Sequence, residues 1–510
     1  MKIKILILCL LLISCSRYPD KLADSLELAE DNRQQLEEVI EHYKGKGEKD
    51  KLHAAYYLIS NMKDKGTYIN ELVNSNGNPV GFNISNFKNE KEQNAWLDSI
   101  QAVHGDLHVK EEFLPDLEHI TSDFLINNID KAFEVKYNSP FCQNISDSIF
   151  YENILPYRVS YEKLENWRDS VLTEFSGLKD SIYGFSTVLA ATNFIDNIYQ
   201  KKFKYGGSRY FKQKEVRCYS ELLHDKAGKC DDMCNLVVMG LRTLGIPSGF
   251  DGIQYKRAND EVGHGWCFVY DIKTGKNYPF DALSNNGPGL FNLRYKNSPK
   301  VFRKQFSSIN DNSIKNNHSI IHPVFFEDNS LDVTSEYFET VSISITLDSL
   351  YAEPVYLNIW HRGEWKPVDY SYKPSSLVAN FSQVSKENIY CLSSFNRPEN
   401  KVISEPFIIN RYGEIKYGSS LGVHKKTDMK NYNNRQLNNA KNNAMIFEFG
   451  KNKNYKKVCI KIVQEDLKKN EWSLLSNSLE TNRFYFLSDS LCSNGRIFVF
   501  GEDKKSINWY

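Results

Sequence analysis

Neither sign of charge dominates this chain: 64 Lys and Arg face 64 Asp and Glu across 510 residues. With no net field, the sequence offers no case for a nucleic-acid surface or an acidic substrate. Long apolar runs are missing after Ile13, so no later stretch approaches the roughly 20 residues of a membrane-spanning helix. The body is therefore expected to be soluble. The ten cysteines lack the dense spacing of a disulfide framework. Several sit in apolar runs (Cys391, Cys459, Cys492), and no pairing scheme is readable from their positions. No internal repeat is present, and nothing in the chain asks for a cofactor.

What is present begins with an address. Met1-Lys2-Ile3-Lys4 is a short basic start, and an apolar run follows from Ile5 to Ile13. A run this short is a secretion signal rather than a membrane span. Leu12-Ile13-Ser14-Cys15 resembles a bacterial lipobox. The resemblance implies cleavage before Cys15 and acylation of its thiol and amine, where each buried methylene contributes roughly 0.8 kcal/mol of anchoring. Ser16 follows with no acidic residue beside it, which by analogy with lipoprotein sorting implies the outer membrane, with the periplasmic or surface face left open. An ordinary signal peptide with a chance cysteine is the alternative.

The remaining length suits three or four domains. From Leu22 to about Ile129 the pattern is helical, with Leu26, Leu36, Val39 and Ile40 recurring largely at three- and four-residue steps. Past Leu290 it turns to β: Val341, Ile343, Ile345 and Leu347 alternate with Ser342, Ser344 and Thr346. Short strands with turn signals between them predict a sandwich. The expected division is a signal peptide over 1–14, a helical region over 15–135 and a chemistry-bearing domain over 136–300. A β-sandwich-like domain over 325–420, an Asn/Lys-rich loop or linker over 421–444 and a small β module over 445–510 complete it. The fold class is α+β.

The chemistry concentrates in one stretch. Gly228-Lys229-Cys230-Asp231-Asp232 opens a helix that runs to Leu244 and is apolar nearly all round, so it should be central and buried. A thiol is a few per cent ionised at neutral pH, and a helix N-terminus or a nearby imidazolium raises that fraction. Cys230 stands at such an N-terminus, where backbone N–H groups can help form an oxyanion hole. Asp231 and Asp232 suit the helix dipole but would oppose a thiolate if they faced it. His264 begins a strand with His264, Trp266, Phe268 and Tyr270 on one face. Asp281 follows after a turn around Lys273-Thr274-Gly275-Lys276. A four-residue loop would set His264 opposite Asp281, whereas a two-residue Thr274-Gly275 turn would hold them apart. The sequence leaves that register open.

Gly-x-Cys at a helix start, a helix ending in Leu244-Gly245-Ile246-Pro247, His264-x-Trp266 on a strand and Pro279-Phe280-Asp281 form an ordered set. Over about Phe211 to Leu283 this set resembles the transglutaminase-like superfamily, whose members are relatives of papain-type proteases. The resemblance implies a papain/transglutaminase-like core, with Cys230 as nucleophile, His264 as general base and acid, and Asp281 as the orienting group. The family's usual Asp-Pro is replaced by Asp281-Ala282, which keeps Asp271 as a substitute. The family's oxyanion partner is an upstream aromatic or Gln, for which Tyr210, Gln213 and Tyr219 are candidates. The wider layout is similar to lipoproteins that carry this domain between a helical region and β-sandwich modules.

These readings predict an envelope lipoprotein that transfers or hydrolyses peptide or protein amides through a Cys230 thioester. Its expected partners are a peptide, protein or glycopeptide substrate and a membrane held through Cys15. Glycan contact by the C-terminal β modules completes the set. A catalytically inactive scaffold binding glycan or protein, and an amidase like peptide N-glycanase, are the alternatives. Trp266 either walls the site or packs the core. Cys230, Cys234, His264 and Cys267 could be mistaken for a zinc set, but His264 and Cys267 point to opposite faces of the proposed strand, and Cys234 and Cys267 read as core residues. His104 and His108 would make a metal pair only on a helix, and they read as surface residues; His224 reads as structural.

Overall fold

Leu36, Val39, Ile40 and Tyr43 lie on one stripe of a helix, and their burial there is the first thing the folded chain delivers. The computed structural model of the protein describes residues 18–206, 216–255, 262–291, 298–308, 329–361, 364–373, 376–396 and 399–417. It also describes seven short strands between 445 and 509. The signal, Cys15 and the Lys425–Asn443 stretch lie outside the described residues. The chain divides into two compact units: Met1–Ser248 with Val269–Tyr278 and Phe306–Ser308, and Gly249–Phe268 with Pro279–Gln305 and Ile309–Tyr510. Together they make an α+β fold, with helices toward the N-terminus and strands in open sheets toward the C-terminus.

In the first unit, helices Asp20–Leu28, Arg33–Lys46, Lys49–Ser60 and Ser122–Asn138 enclose a core that includes Leu22, Leu36, Leu58, Ile129 and Phe133. The Thr121 hydroxyl accepts the Phe124 N–H and so starts the last of them. Phe306, distant in sequence, joins this core between Tyr57 and Tyr157, at ring separations of 6.0 and 5.2 Å. Its backbone N–H and that of Ser307 donate to Glu152, and the Ser308 N–H donates to Asn61.

The helical pattern does not run unbroken to Ile129. Gly66–Asn74 and Leu107–Pro115 pair as an antiparallel ribbon. Thr67, Tyr68, Ile69 and Val73, β-branched or aromatic, favour extended backbone, and Tyr68 stands opposite Phe113 with ring centroids 5.0 Å apart. Cross-strand pairing of this kind outweighs the weak helical spacing of the segment.

The helix Cys230–Thr243 also belongs to this unit, and every residue from Asp232 onward is buried. Its far end is held by Arg242, whose guanidinium donates to the carbonyls of Ser248 and Arg158. Gly245 ends it with φ +76°, and a Cβ there would come within 2.4 Å of Ser139 Cβ.

A five-stranded sheet runs in the order Lys276–Phe280, Val262–Asp271, Ser248–Tyr255, Phe302–Lys304, Ser330–Asp332. The β module that follows has two open sheets around one core. Thr340–Thr346 pairs with Val378–Ser385, and Val355–His361 is central to a six-stranded sheet. Ile343, Ile345, Leu357, Phe381 and Leu392 meet between them. Ser342 and Ser344 face outward, as the alternation predicts. Five of the seven strands from Met445 to Trp509 form a further sheet, and the other two, Ile462–Asp466 and Glu471–Leu474, pair with each other.

Candidate active site

Cys230 is the first residue of its helix and is half-buried. Lys204–Tyr205 runs parallel to Ala227–Gly228 just before it, so Tyr205 pairs with Gly228 two residues from the cysteine. The two acidic neighbours have separate fates. Asp232 is buried and turns back from the thiol: its carboxylate accepts the N–H groups of Lys229 and Arg217, at 3.0 and 3.3 Å. Burial pushes the Asp232 carboxyl up, against the opposing pull of Arg217 and Lys229. Arg217 also bonds Asp225 and the Ala227 carbonyl, which knits the turn together. Asp231 is the one beside the thiol, with Cys230 Sγ 3.7 Å from its Oδ1.

Gly228 is needed here for space. Its φ is not positive, but a Cβ on it would lie 2.7 Å from Asp232 Cβ and 2.9 Å from Arg217 Nη2. Only a bare backbone lets Asp232 and Arg217 close over the start of the helix.

In the second unit, His264 Nε2 lies 2.8 Å from Asp281 Oδ1. One strand ends at Asp271 and the next begins at Lys276, with residues 272–275 between them. The Gly275 N–H donates to the Asp271 carbonyl to close the turn. Asp271 is not the histidine's partner: its side chain accepts the Lys273 N–H and the Thr274 hydroxyl within the turn. The imidazole and carboxylate keep 19% and 31% of their surface exposed, so the pair is reachable from solvent. Trp266 is 1% exposed, and its ring centroid is 5.9 Å from that of His264. The indole both packs the core and backs the imidazole.

The other candidates fall away from this chemistry. Tyr219 is buried, and its hydroxyl donates to Glu174 at 2.6 Å and meets Tyr199 at 2.8 Å, which commits it to a packing network instead of an oxyanion. Tyr210 and Gln213 lie outside the described residues. Cys234 and Cys267 are buried core residues. His104 ends a helix while His108 is in a strand, so the two do not share a helix face. His224 is exposed and bonds Asp225. Among the described residues, no three His, Cys, Asp or Glu side chains come together as a metal-holding group. Likewise, no described helix is long and apolar enough to cross a membrane. Sequence reasoning misses Tyr337, whose hydroxyl accepts the Trp266 indole N–H from 71 residues away. No motif marks it.

No family model and no curated protein matches the chain. Among solved structures, it is similar to one named "Putative Cysteine Protease" from Cytophaga hutchinsonii. The identity is 13% and the TM-score 0.24, over 48% of this chain and 66% of that one. A superposition this loose leaves the site to be argued from its own residues.

Proposed function

We propose that the protein is a cysteine-dependent acyl-transfer enzyme acting on peptide or protein amides, with Cys230 as nucleophile, His264 as base and acid, and Asp281 as the orienting carboxylate. The hydrogen bond between His264 and Asp281 carries this reading. A carboxylate that accepts the Nε2 proton fixes the tautomer, so Nδ1 is the nitrogen that exchanges a proton with the thiol. Cys230 Sγ attacks the amide carbonyl, and its proton passes through His264 to the leaving amine as the C–N bond breaks. Water then adds to the thioester with His264 as base, releasing the acid and restoring the thiol. Hydrolysis is favoured over transfer to an amine because nothing in the sequence displays a dedicated acceptor site. By the same reading the chain is an outer-membrane lipoprotein acylated at Cys15, and Cys15→Ser should release it from the membrane fraction.

One observation favours the scaffold alternative. Asp231 beside Cys230 Sγ disfavours a thiolate by like-charge repulsion. Thiol reactivity separates the two readings. For an activated Cys230, alkylation by iodoacetamide stays fast well below neutral pH, and His264→Ala slows it at pH 6 on the order of 100-fold. A single rise near a pH of about 8.5, unchanged in His264→Ala, would make the protein a scaffold.

A further inference from the structure

Behind His264 runs a buried line of polar contacts that the acyl-transfer chemistry does not itself require. Trp266 Nε1–H donates to the Tyr337 hydroxyl at 2.9 Å, and that hydroxyl donates to Asp251 Oδ2 at 2.6 Å. Asp251 is fully buried and is gripped by Arg303 through Nε and Nη2, at 2.9 and 2.8 Å. Arg303 in turn bonds Glu336 and covers the ring of Phe268 at 4.0 Å. Burial and the neighbouring Asp251 hold the Tyr337 phenol well above its usual range, so it keeps the proton it donates. The rings are equally set: Trp266 meets Tyr337 edge-on at 5.4 Å and Phe291 at 5.3 Å, while His264 tilts over it at 5.9 Å and 38°.

An indole packed only by apolar neighbours can rock about its long axis. Here a directional bond fixes it, and the acceptor of that bond is oriented by a carboxylate that an arginine holds in two places. We propose that Tyr337 is a positioning residue: its hydroxyl, oriented by Asp251, locks the Trp266 indole behind His264 and so keeps the imidazole in the orientation that its bond to Asp281 requires. A fixed ring leaves the imidazole one seat instead of several, and a base held in one seat serves the thiol better than one that wanders. The titratable and charged groups facing this line are Asp281 on His264, and Asp251, Arg303 and Glu336 around Tyr337. The inference rests on the reading of His264 as the partner of Cys230.

Tyr337→Phe tests it in the full-length protein, because the ring is kept and only the hydroxyl is lost. The expected result is an alkylation profile of Cys230 moved toward higher pH, with the rate at pH 6 down roughly 3- to 10-fold and a changed indole emission. Trp266→Phe, which lacks the donor, should show a similar shift, and Tyr337→Phe added to it should do nothing more. The Trp266→Phe variant alone keeps the test open if Tyr337→Phe fails to fold: a wild-type profile in it overturns the proposal. An unchanged profile in folded Tyr337→Phe, or a full extra loss on the Trp266→Phe background, overturns the positioning role while leaving the enzyme reading intact. A wild-type protein with an ordinary thiol profile removes both.

Discussion

At the scale of single residues, the proposed function gives the bond between His264 and Asp281 two jobs that substitutions can divide. Asn at 281 can still accept the Nε2 proton but carries no charge to balance an imidazolium. Asp281→Asn is therefore expected to keep more thiol reactivity at pH 6 than Asp281→Ala, with the wild type about 10-fold above the Asn variant and further above Ala. Equal losses in the two would mean that the carboxylate acts through its charge alone, and that a neutral acceptor of the same size contributes nothing. Lys65 offers a stability test. Burial pulls its amine down from 10.5 to about 8, against the opposite pull of Asp64, Glu152 and Asp116, although the ammonium sits 5.3 Å over the Phe306 ring. Between those two values the unfolded chain holds this proton more tightly than the folded one. The charge thus destabilises the fold below pH 8, and stability rises as pH climbs from about 8 toward 10.5. Lys65→Met should stabilise the protein at pH 7 by roughly 2–3 kcal/mol and gain less above pH 10, as read by chemical denaturation at both values. An equal gain at both would show that packing, not charge, is responsible. Much of this scale is legible in the sequence. Cys230, His264 and Asp281 stand at ends and faces of regular elements that periodicity can find. What is not legible is contact across distance: Tyr337 and Asp251 are 86 residues apart and join through tertiary packing alone.

At the scale of elements, the Cys230 helix shows how two glycines fix a thiol by different means. Gly245 supplies a left-handed φ, and Gly228 supplies room for Asp232 and Arg217. Gly245→Ala should cost about 3 kcal/mol or more in global stability, measured by denaturant unfolding, since strain and a 2.4 Å clash add. Gly228→Ala should instead disturb the start of the helix, lowering Cys230 alkylation by more than its loss of stability explains. If both variants lose only stability, the turn has no hold on the thiol. The helix itself is readable because it is apolar all round and stops at Gly-Ile-Pro. The Gly66–Pro115 ribbon is less readable, since its strands face solvent on much of their length and carry little alternation. The turn before Asp281 is a third case. Its residues permit more than one register, and the strand ends at Asp271 and Lys276 come from the folded sheet alone.

At the scale of the whole molecule, the cysteines form a single experiment. Of six described cysteines, Cys230 is half-buried, and Cys142, Cys218, Cys234, Cys267 and Cys391 are buried. Burial pushes the thiols of Cys142 and Cys218 up to about 12 and raises that of Cys391 well above its usual value. Brief alkylation of the native protein should therefore label Cys230 ahead of those five, with peptide mass mapping as the readout. Early label on Cys391 would contradict the packing of the β module. The broad order, helices first and sheets after, is legible from the change of hydrophobic period along the chain. The return of Phe306 to the helical core is not, because nothing local distinguishes that phenylalanine from its neighbours. That return has a cost in time. Asn61 and Ser308 are 247 residues apart, and a ribosome adding roughly 5–20 residues per second needs on the order of tens of seconds to span them. From the point at which Tyr157 emerges, the nascent helices must wait with an unfilled site between Tyr57 and Tyr157, exposed to whatever chaperone reaches it first.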